Sequence, residues 1–258
     1  MADRVTLITG ASSGIGAELA RIFAANGHKT VLVARREDRL NQLADDIAAT
    51  GKPRPTTISC DLRQPGACDA IADKLSAMGA DVEIVVNNAG FGLFGNAVEM
   101  DRAEQLAMVD INVRVLTDLS LRFADSLIKH RGGLLNVGSI ASFLPGPRMA
   151  VYYASKAFVL SFTEAMRGEL GPKGVRVTAL CPGPVPTEFQ DRAGFVPGLD
   201  SAILNVSAAA VARAGYRGLM SNKRLVMPGV GVRMIPFLLR FAPRSMVLAS
   251  VARVQRQR

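Results

Sequence analysis

The stretch VTLITGASSGIGAELARIFAANGHKTVLVARR, residues 5–36, decides the fold. VTLIT (5–9) is an apolar, β-branched run of strand character, and GASSGIG (10–16) is a glycine-rich turn. IGAELARIFAANG (15–27) has the apolar period of a helix that stops at Gly27, and TVLVA (30–34) is a second strand run. The chain therefore opens as a βαβ unit. Gly10 permits the tight turn, Gly14 lets backbone approach a pyrophosphate, and Gly16 allows close helix packing, while the unpaired first amides of the helix face an anion. The spacing GxxxGxG is not the commoner GxGxxG of dinucleotide sites, and an ordinary loop-to-helix junction can also carry three glycines.

The end of the second strand bears on which dinucleotide binds. A carboxylate there would hydrogen-bond ribose hydroxyls, but this chain has Arg35 and Arg36. Two guanidinium groups suit a ribose 2′-phosphate, which favours NADP(H) over NAD. Glu37 and Asp38 follow directly, and the alternative is a pair of surface arginines without a ligand.

Further along, YYASKAFVLSFTEAM (152–166) reads as a helix in which Tyr152 and Lys156, four residues apart, share a face. A neighbouring ammonium stabilises a phenolate and draws the tyrosine toward the working pH range, which makes a reversible proton donor. Ser139 closes the strand-like LLNVGS (134–139), where its hydroxyl can align a substrate oxygen with the phenol. Tyr153 points about 100° away around the helix and is assigned to core or pocket lining. Alone, a YxxxK spacing is equally at home on an amphipathic helix with a half-buried tyrosine and a solvated lysine.

Together these segments resemble the classical short-chain dehydrogenase/reductase family, over roughly residues 4–190. TGASSGIG (9–16) is similar to its cofactor motif, NNAG (87–90) to its central strand motif, and PGPVPT (182–187) to the segment that meets the nicotinamide end. Ser139, Tyr152 and Lys156 resemble its catalytic set, and Asn112 in DINVRVL the fourth member. The resemblance implies a single-domain α/β Rossmann fold, a doubly wound parallel sheet with helices on both faces. It implies cofactor contacts from Gly10, Ser12, Ser13, Gly14, Ile15 and Gly16, from Arg35 and Arg36, and from Asp61 and Leu62 near the adenine. Further contacts are implied for Asn88, Ala89 and Gly90, for Tyr152 and Lys156, and for Pro182, Gly183, Val185 and Thr187. It also implies hydride transfer to or from a carbonyl or secondary alcohol carbon without a metal. In that scheme Tyr152 is the acid/base, Ser139 steadies the oxygen, Lys156 holds both the tyrosine pKa and the ribose, and Asn112 holds a water leading to solvent. Homodimers or homotetramers, commonly joined through the helix of Tyr152 and Lys156, are implied as well.

The rest of the chain agrees with an open parallel sheet. Apolar runs recur at 56–60, 82–86, 134–138 and 175–180, with a last strand plausible at 224–227. With 258 residues, 49% of them hydrophobic, one large domain is expected. Cys60, Cys68 and Cys181 lack ligand spacing and His28 and His130 stand alone, so neither a metal site nor a disulfide scaffold is expected. A strand rather than a signal peptide at the start points to the cytoplasm.

The domain is expected to span 1–228, with an apolar lid at about 188–206 carrying Phe189, Phe195, Pro197 and Leu199. Phe91, Phe94, Phe143 and Leu144 extend that wall, which favours a hydrophobic substrate. Residues 229–258 form a basic, apolar extension. Residues 201–258 hold ten Lys or Arg and no Asp or Glu, whereas 1–200 hold 21 basic and 22 acidic residues, so the net charge of +9 belongs to the tail. Packing on the parent domain, a partner surface and peripheral contact with anionic lipid all fit, with Pro236 and Pro243 interrupting any long helix. Sparse aromatics and no recognition module argue against nucleic acid. The remaining alternative to an enzyme is a non-catalytic dinucleotide-binding or interaction protein, for which a complete Ser, Tyr, Lys and Asn set has no physical use.

Overall fold

A computed structural model describes residues 3–189 and 206–256. Seven parallel strands form one sheet: β1 (Asp3–Thr9), β2 (Lys29–Ala34), β3 (Thr56–Ser59), β4 (Ala80–Asn87), β5 (Gly133–Val137), β6 (Arg176–Leu180) and β7 (Leu225–Val226). Their order is β3-β2-β1-β4-β5-β6-β7, so the winding reverses between β1 and β4. Each expected strand is present to within a residue or two; the inner strands are apolar runs buried on both faces, whereas the edge strand β3 buries only Ile58.

The alternation of side chains divides the core into two layers. Leu7, Val31, Val33, Val85 and Leu134 face one way, toward α3 (Ala67–Ala77), α4 (Arg102–Val109), α5 (Leu116–Arg122) and α7 (Ala150–Leu170). Ile8, Leu32, Ile84, Val86 and Leu135 face the other way, toward α1 (Gly14–Ala25), α2 (Glu37–Ala49) and α8 (Ala208–Met220). Adjacent residues of one strand thus serve opposite layers, which gives the doubly wound Rossmann fold its two helical coats. A short helix, α6 (Ala124–Lys129), leads into β5.

A buried polar ladder pins α5 and α7 to the sheet. The Asn87 amide donates to Ser120 Oγ (2.9 Å) and Asn136 Oδ1 (2.9 Å), and the Asn136 amide donates to Thr163 Oγ1 (3.0 Å). These bonds fix the orientation of α7 more narrowly than apolar packing does, since buried donors demand particular acceptors.

The tail forms α9 (Val230–Leu239) and α10 (Arg244–Arg256). Contrary to expectation, Pro236 lies inside α9, and the helix passes through it; the break falls instead at residues 240–243. Pro236 falls in the second turn and removes one backbone bond, the one its amide would have made to Val232 O. Among the described residues, no helix is long and apolar enough to cross a membrane.

Candidate active site

The site begins where β1 and β4 end side by side. Thr9 Oγ1 accepts from the amides of Asn88 and Ala89 (both 3.1 Å) and donates to Val86 O (3.3 Å). The Asn88 amide donates back to Thr9 O (3.0 Å) and Gly10 O (3.1 Å). Space is so short here that a Cβ on Gly16 would lie 2.3 Å from Gly10 O, and Gly10 itself has φ +65°. Gly16 therefore acts through packing, as its expected role required.

A cleft of about 460 Å³ opens above this seam, at the carboxyl ends of the strands. Of the catalytic and cofactor-contact residues expected from the sequence, Gly16 and Asn112 stay behind the wall and the others line it. At the amino end of α1, Ser13 makes no capping hydrogen bond and the first turn holds no acidic residue. The first amides of that helix are thus left to an anion, which fits a dinucleotide pyrophosphate. Arg35 and Arg36 stand at one end. Arg36 donates to Ser12 Oγ (3.2 Å) and pairs with Glu188 (2.7 Å), whose carboxyl it holds below its ordinary pKa, while Arg35 is exposed. Asp61 is turned inward on its own loop, accepting from the Arg63 amide (3.0 Å).

At the other end, α7 brings Tyr152 and Lys156 together, both buried and one turn apart. Burial pushes the phenol of Tyr152 above its ordinary value, and a hydrogen bond with Ser139 pulls against that shift. Lys156 Nζ lies 5.9 Å from the Tyr152 ring centre and donates to Val137 O (2.9 Å). The lowering of the phenol expected from this lysine is not what opposes burial here; the opposing pull comes from Ser139. The lysine is strained in turn, its pKa pushed down to about 8 by burial.

Asn112 sits in a π-helical turn (Asp110–Val115) between α4 and α5. Its amide donates to Phe91 O (3.0 Å) and Ser155 Oγ (3.0 Å), and its Oδ1 accepts from Phe91 N (3.1 Å). Both amide hydrogens are therefore committed to protein, so the side chain clamps the Phe91 loop to α7. Any water it helps to hold would need its backbone. A Cβ on Gly90 would meet Asn112 Oδ1 at 2.9 Å, which explains a glycine at that point.

Several contributors were not legible in the sequence. Met149 lines the cleft, Ser155 donates to Tyr152 O (2.7 Å), and Ser142 donates to Lys156 O (2.7 Å). Most distant is the tail: Gln255 is buried, and its amide donates to Tyr153 Oη (3.0 Å). Arg148 donates to Gln255 O (2.8 Å) and lies 4.2 Å from the Phe94 ring centre. Tyr153 lines the cleft beside Tyr152, their ring centres 6.0 Å apart. Phe91 and Phe189 line the cleft, but Phe94, Phe143 and Leu144 do not: Phe94 stacks on Arg148, and Phe143 packs beside Cys181 and Met227. Phe195, Pro197 and Leu199 lie outside the described residues.

The histidines and cysteines have local partners. His28 packs edge-on to Phe23 and Tyr216, with burial lowering its pKa, and His130 meets Asp81 (3.0 Å). Burial raises the thiol of Cys68 to about 12 and that of Cys181 to about 11. Among the described residues no cluster suits a metal ion.

The profile of the short chain dehydrogenases matches residues 4–194. The chain belongs to that family. It is 39% identical over 188 residues to sulfoacetaldehyde reductase 2 of Chromohalobacter salexigens, covering 72% of this chain and 74% of that one. A short-chain dehydrogenase from Sphingobium yanoikuyae, solved with NADPH, superposes with a TM-score of 0.83 at 31% identity and covers 94% of both chains. A bulky-bulky ketone specific alcohol dehydrogenase from Comamonas testosteroni gives 0.75 at 31% identity, covering 87% of this chain and 85% of that one. This dehydrogenase is accordingly an NAD(P)-dependent oxidoreductase.

Two expectations follow from the geometry. The fall of the Lys156 pKa from 10.5 to about 8 penalises the charged form by about 3 kcal/mol. Lys156→Met removes that penalty, at a cost of about 1 kcal/mol for the orphaned Val137 carbonyl, so the dinucleotide-free variant should melt above the parent at pH 7. Between about pH 8 and 10.5 the unfolded chain binds the extra proton, so the parent gains stability with rising pH and the gap should close. Melting curves of both proteins across that range check it; a gap independent of pH would contradict the assignment. Second, Gln255→Ala should raise KM for the carbonyl substrate severalfold while kcat stays within about twofold, because it loosens Tyr153 and leaves Tyr152 held. Steady-state kinetics with saturating dinucleotide measure that split.

Proposed function

We propose that this dehydrogenase uses NADPH to reduce bulky, hydrophobic carbonyl compounds, with Tyr152 as the proton donor. The observation that carries the reading is the Ser139–Tyr152–Lys156 set at one end of a cleft whose other end presents two arginines. The nicotinamide supplies the hydride when bound. The Tyr152 hydroxyl gives its proton to the carbonyl oxygen, and Ser139, already bonded to the phenol, steadies the charge that develops there. Lys156 is cationic below about pH 8 and stands one turn along the same helix, placed to offset the phenolate left behind and to bond a ribose hydroxyl. Asn112 holds the Phe91 loop and the Ser155 turn against these groups.

For the 2′-phosphate, Arg35 is the principal group and Arg36 the second. Arg36 is shared with Glu188, and no ion pair among the described residues engages Arg35. The NADPH in the Sphingobium relative supports this choice. Apolar lining supports a hydrophobic substrate: Phe91, Met149 and Phe189 line the cleft, and the Phe189 ring lies 5.5 Å from that of Tyr152 between centres. The name of the Comamonas relative points the same way. The lid expected at about 188–206 lies, apart from its first two residues and its last, outside the described residues. Assembly as a homo-oligomer would use the outer faces of α5 and α7, where Leu121 and Phe158 are exposed.

Tyr152→Phe should abolish nearly all turnover with dinucleotide affinity retained, whereas Tyr153→Phe should keep substantial activity. Absorbance assays on a ketone series of increasing size test this together with the substrate class. Equal loss in two folded variants, or a preference for small charged aldehydes, would overturn the reading. In calorimetry NADPH should bind about tenfold or more tightly than NADH, and Arg35→Asp should narrow or reverse that difference. A tighter NADH complex of the parent protein would contradict it.

A further inference from the structure

Helix α9 wears its apolar stripe outward. Among its described residues only Val232 is fully buried, in a small cluster with Ala179, Cys181 and Met227. Met234, Phe237, Leu238 and the following Phe241 recur at i, i+3, i+4 and i+7, one helical face, and are 48, 54, 59 and 75% exposed. The rings of Phe237 and Phe241 meet edge-on at 5.4 Å between centres. Helix α10 adds Met246 and Leu248, which are 62 and 45% exposed. A folded chain gains nothing by displaying contiguous apolar side chains to water, so such a patch marks a contact surface.

Charge selects the occupant. Arg233, Arg240 and Arg244 are exposed around the stripe, and residues 201–258 contain no acidic side chain. A two-fold contact with a second copy would set this patch against itself and bring arginine toward arginine with no carboxylate in the tail to intervene. An anionic bilayer has no such conflict: phenyl and thioether groups enter the boundary below the headgroups while guanidiniums pair with phosphates. We propose that α9 and the start of α10 form an interfacial anchor that lays Met234, Phe237, Leu238 and Phe241 into the surface of an anionic membrane, leaving the dinucleotide cleft in solvent.

The test uses the full chain and vesicles of phosphatidylcholine, alone or mixed with phosphatidylglycerol. The protein should co-sediment with the mixed vesicles, and binding should weaken as salt rises. Phe237→Ser with Phe241→Ser should lose the binding while keeping dinucleotide affinity, which shows that the body is folded. Arg240→Gln with Arg244→Gln should weaken it by about tenfold. Because the chain has no tryptophan, Phe241→Trp supplies a single probe whose emission should shift to the blue on anionic vesicles. Failure to sediment, equal binding to both vesicle types, or unshifted tryptophan emission would overturn the proposal. So would a fall in mass by light scattering in the double serine variant, which would make the stripe a contact between copies.

Discussion

The seam between β1 and β4 is the constraint on which the rest of the site depends. Two parallel strands that are neighbours in space but far apart in sequence end together there, and the connections leaving them go to opposite faces of the sheet. The gap this creates is a cleft only if the loops on either side are held open and still. One hydroxyl and one carboxamide do that: the Thr9 hydroxyl accepts from the backbone amides of Asn88 and Ala89, and the Asn88 carboxamide donates to Thr9 O and Gly10 O, four bonds across the seam. The same closeness forbids a Cβ at Gly16, so the glycine pattern is a record of backbone packing as much as of pyrophosphate binding.

A second constraint runs against stability. Lys156 and Tyr152 are kept in a dry position where neither ionised form is favoured, and the fold supports them through their backbone as well as through the Val137 and Ser139 bonds to their polar tips. Ser142 takes Lys156 O, Ser155 takes Tyr152 O, and Asn112 in its π-helical turn takes Ser155. A departure from regular helix at that point aims the Asn112 carboxamide at two segments at once. The arrangement makes chemical sense as a site prepared for charge that appears only during proton transfer.

The tail has two roles set by different ends. Its last turn reaches back to the cleft through Gln255 and Tyr153, and its first helix turns an apolar stripe away from the body. Composition alone separates this segment from the acidic and basic balance of the preceding 200 residues. Composition does not say which way a helix faces: the period of Met234, Phe237, Leu238 and Phe241 would look the same pointing inward.

What the sequence determined by itself was everything encoded within a turn or a strand. Strand runs, the helix after GASSGIG, and the shared face of Tyr152 and Lys156 follow from periods of two and 3.6 residues, which depend only on local backbone geometry. The segments that line the cleft were legible for the same reason, each being a short motif with its spacing intact. Tertiary structure alone decided the pairing of Arg36 with Glu188, 152 residues away, and of Gln255 with Tyr153, 102 residues away. It also reassigned the Asn112 side chain to clamping the Phe91 loop and set the Tyr152 phenol under burial rather than under its lysine. Desolvation and long-range hydrogen bonding belong to the packed interior, and no local pattern of residues carries their sign.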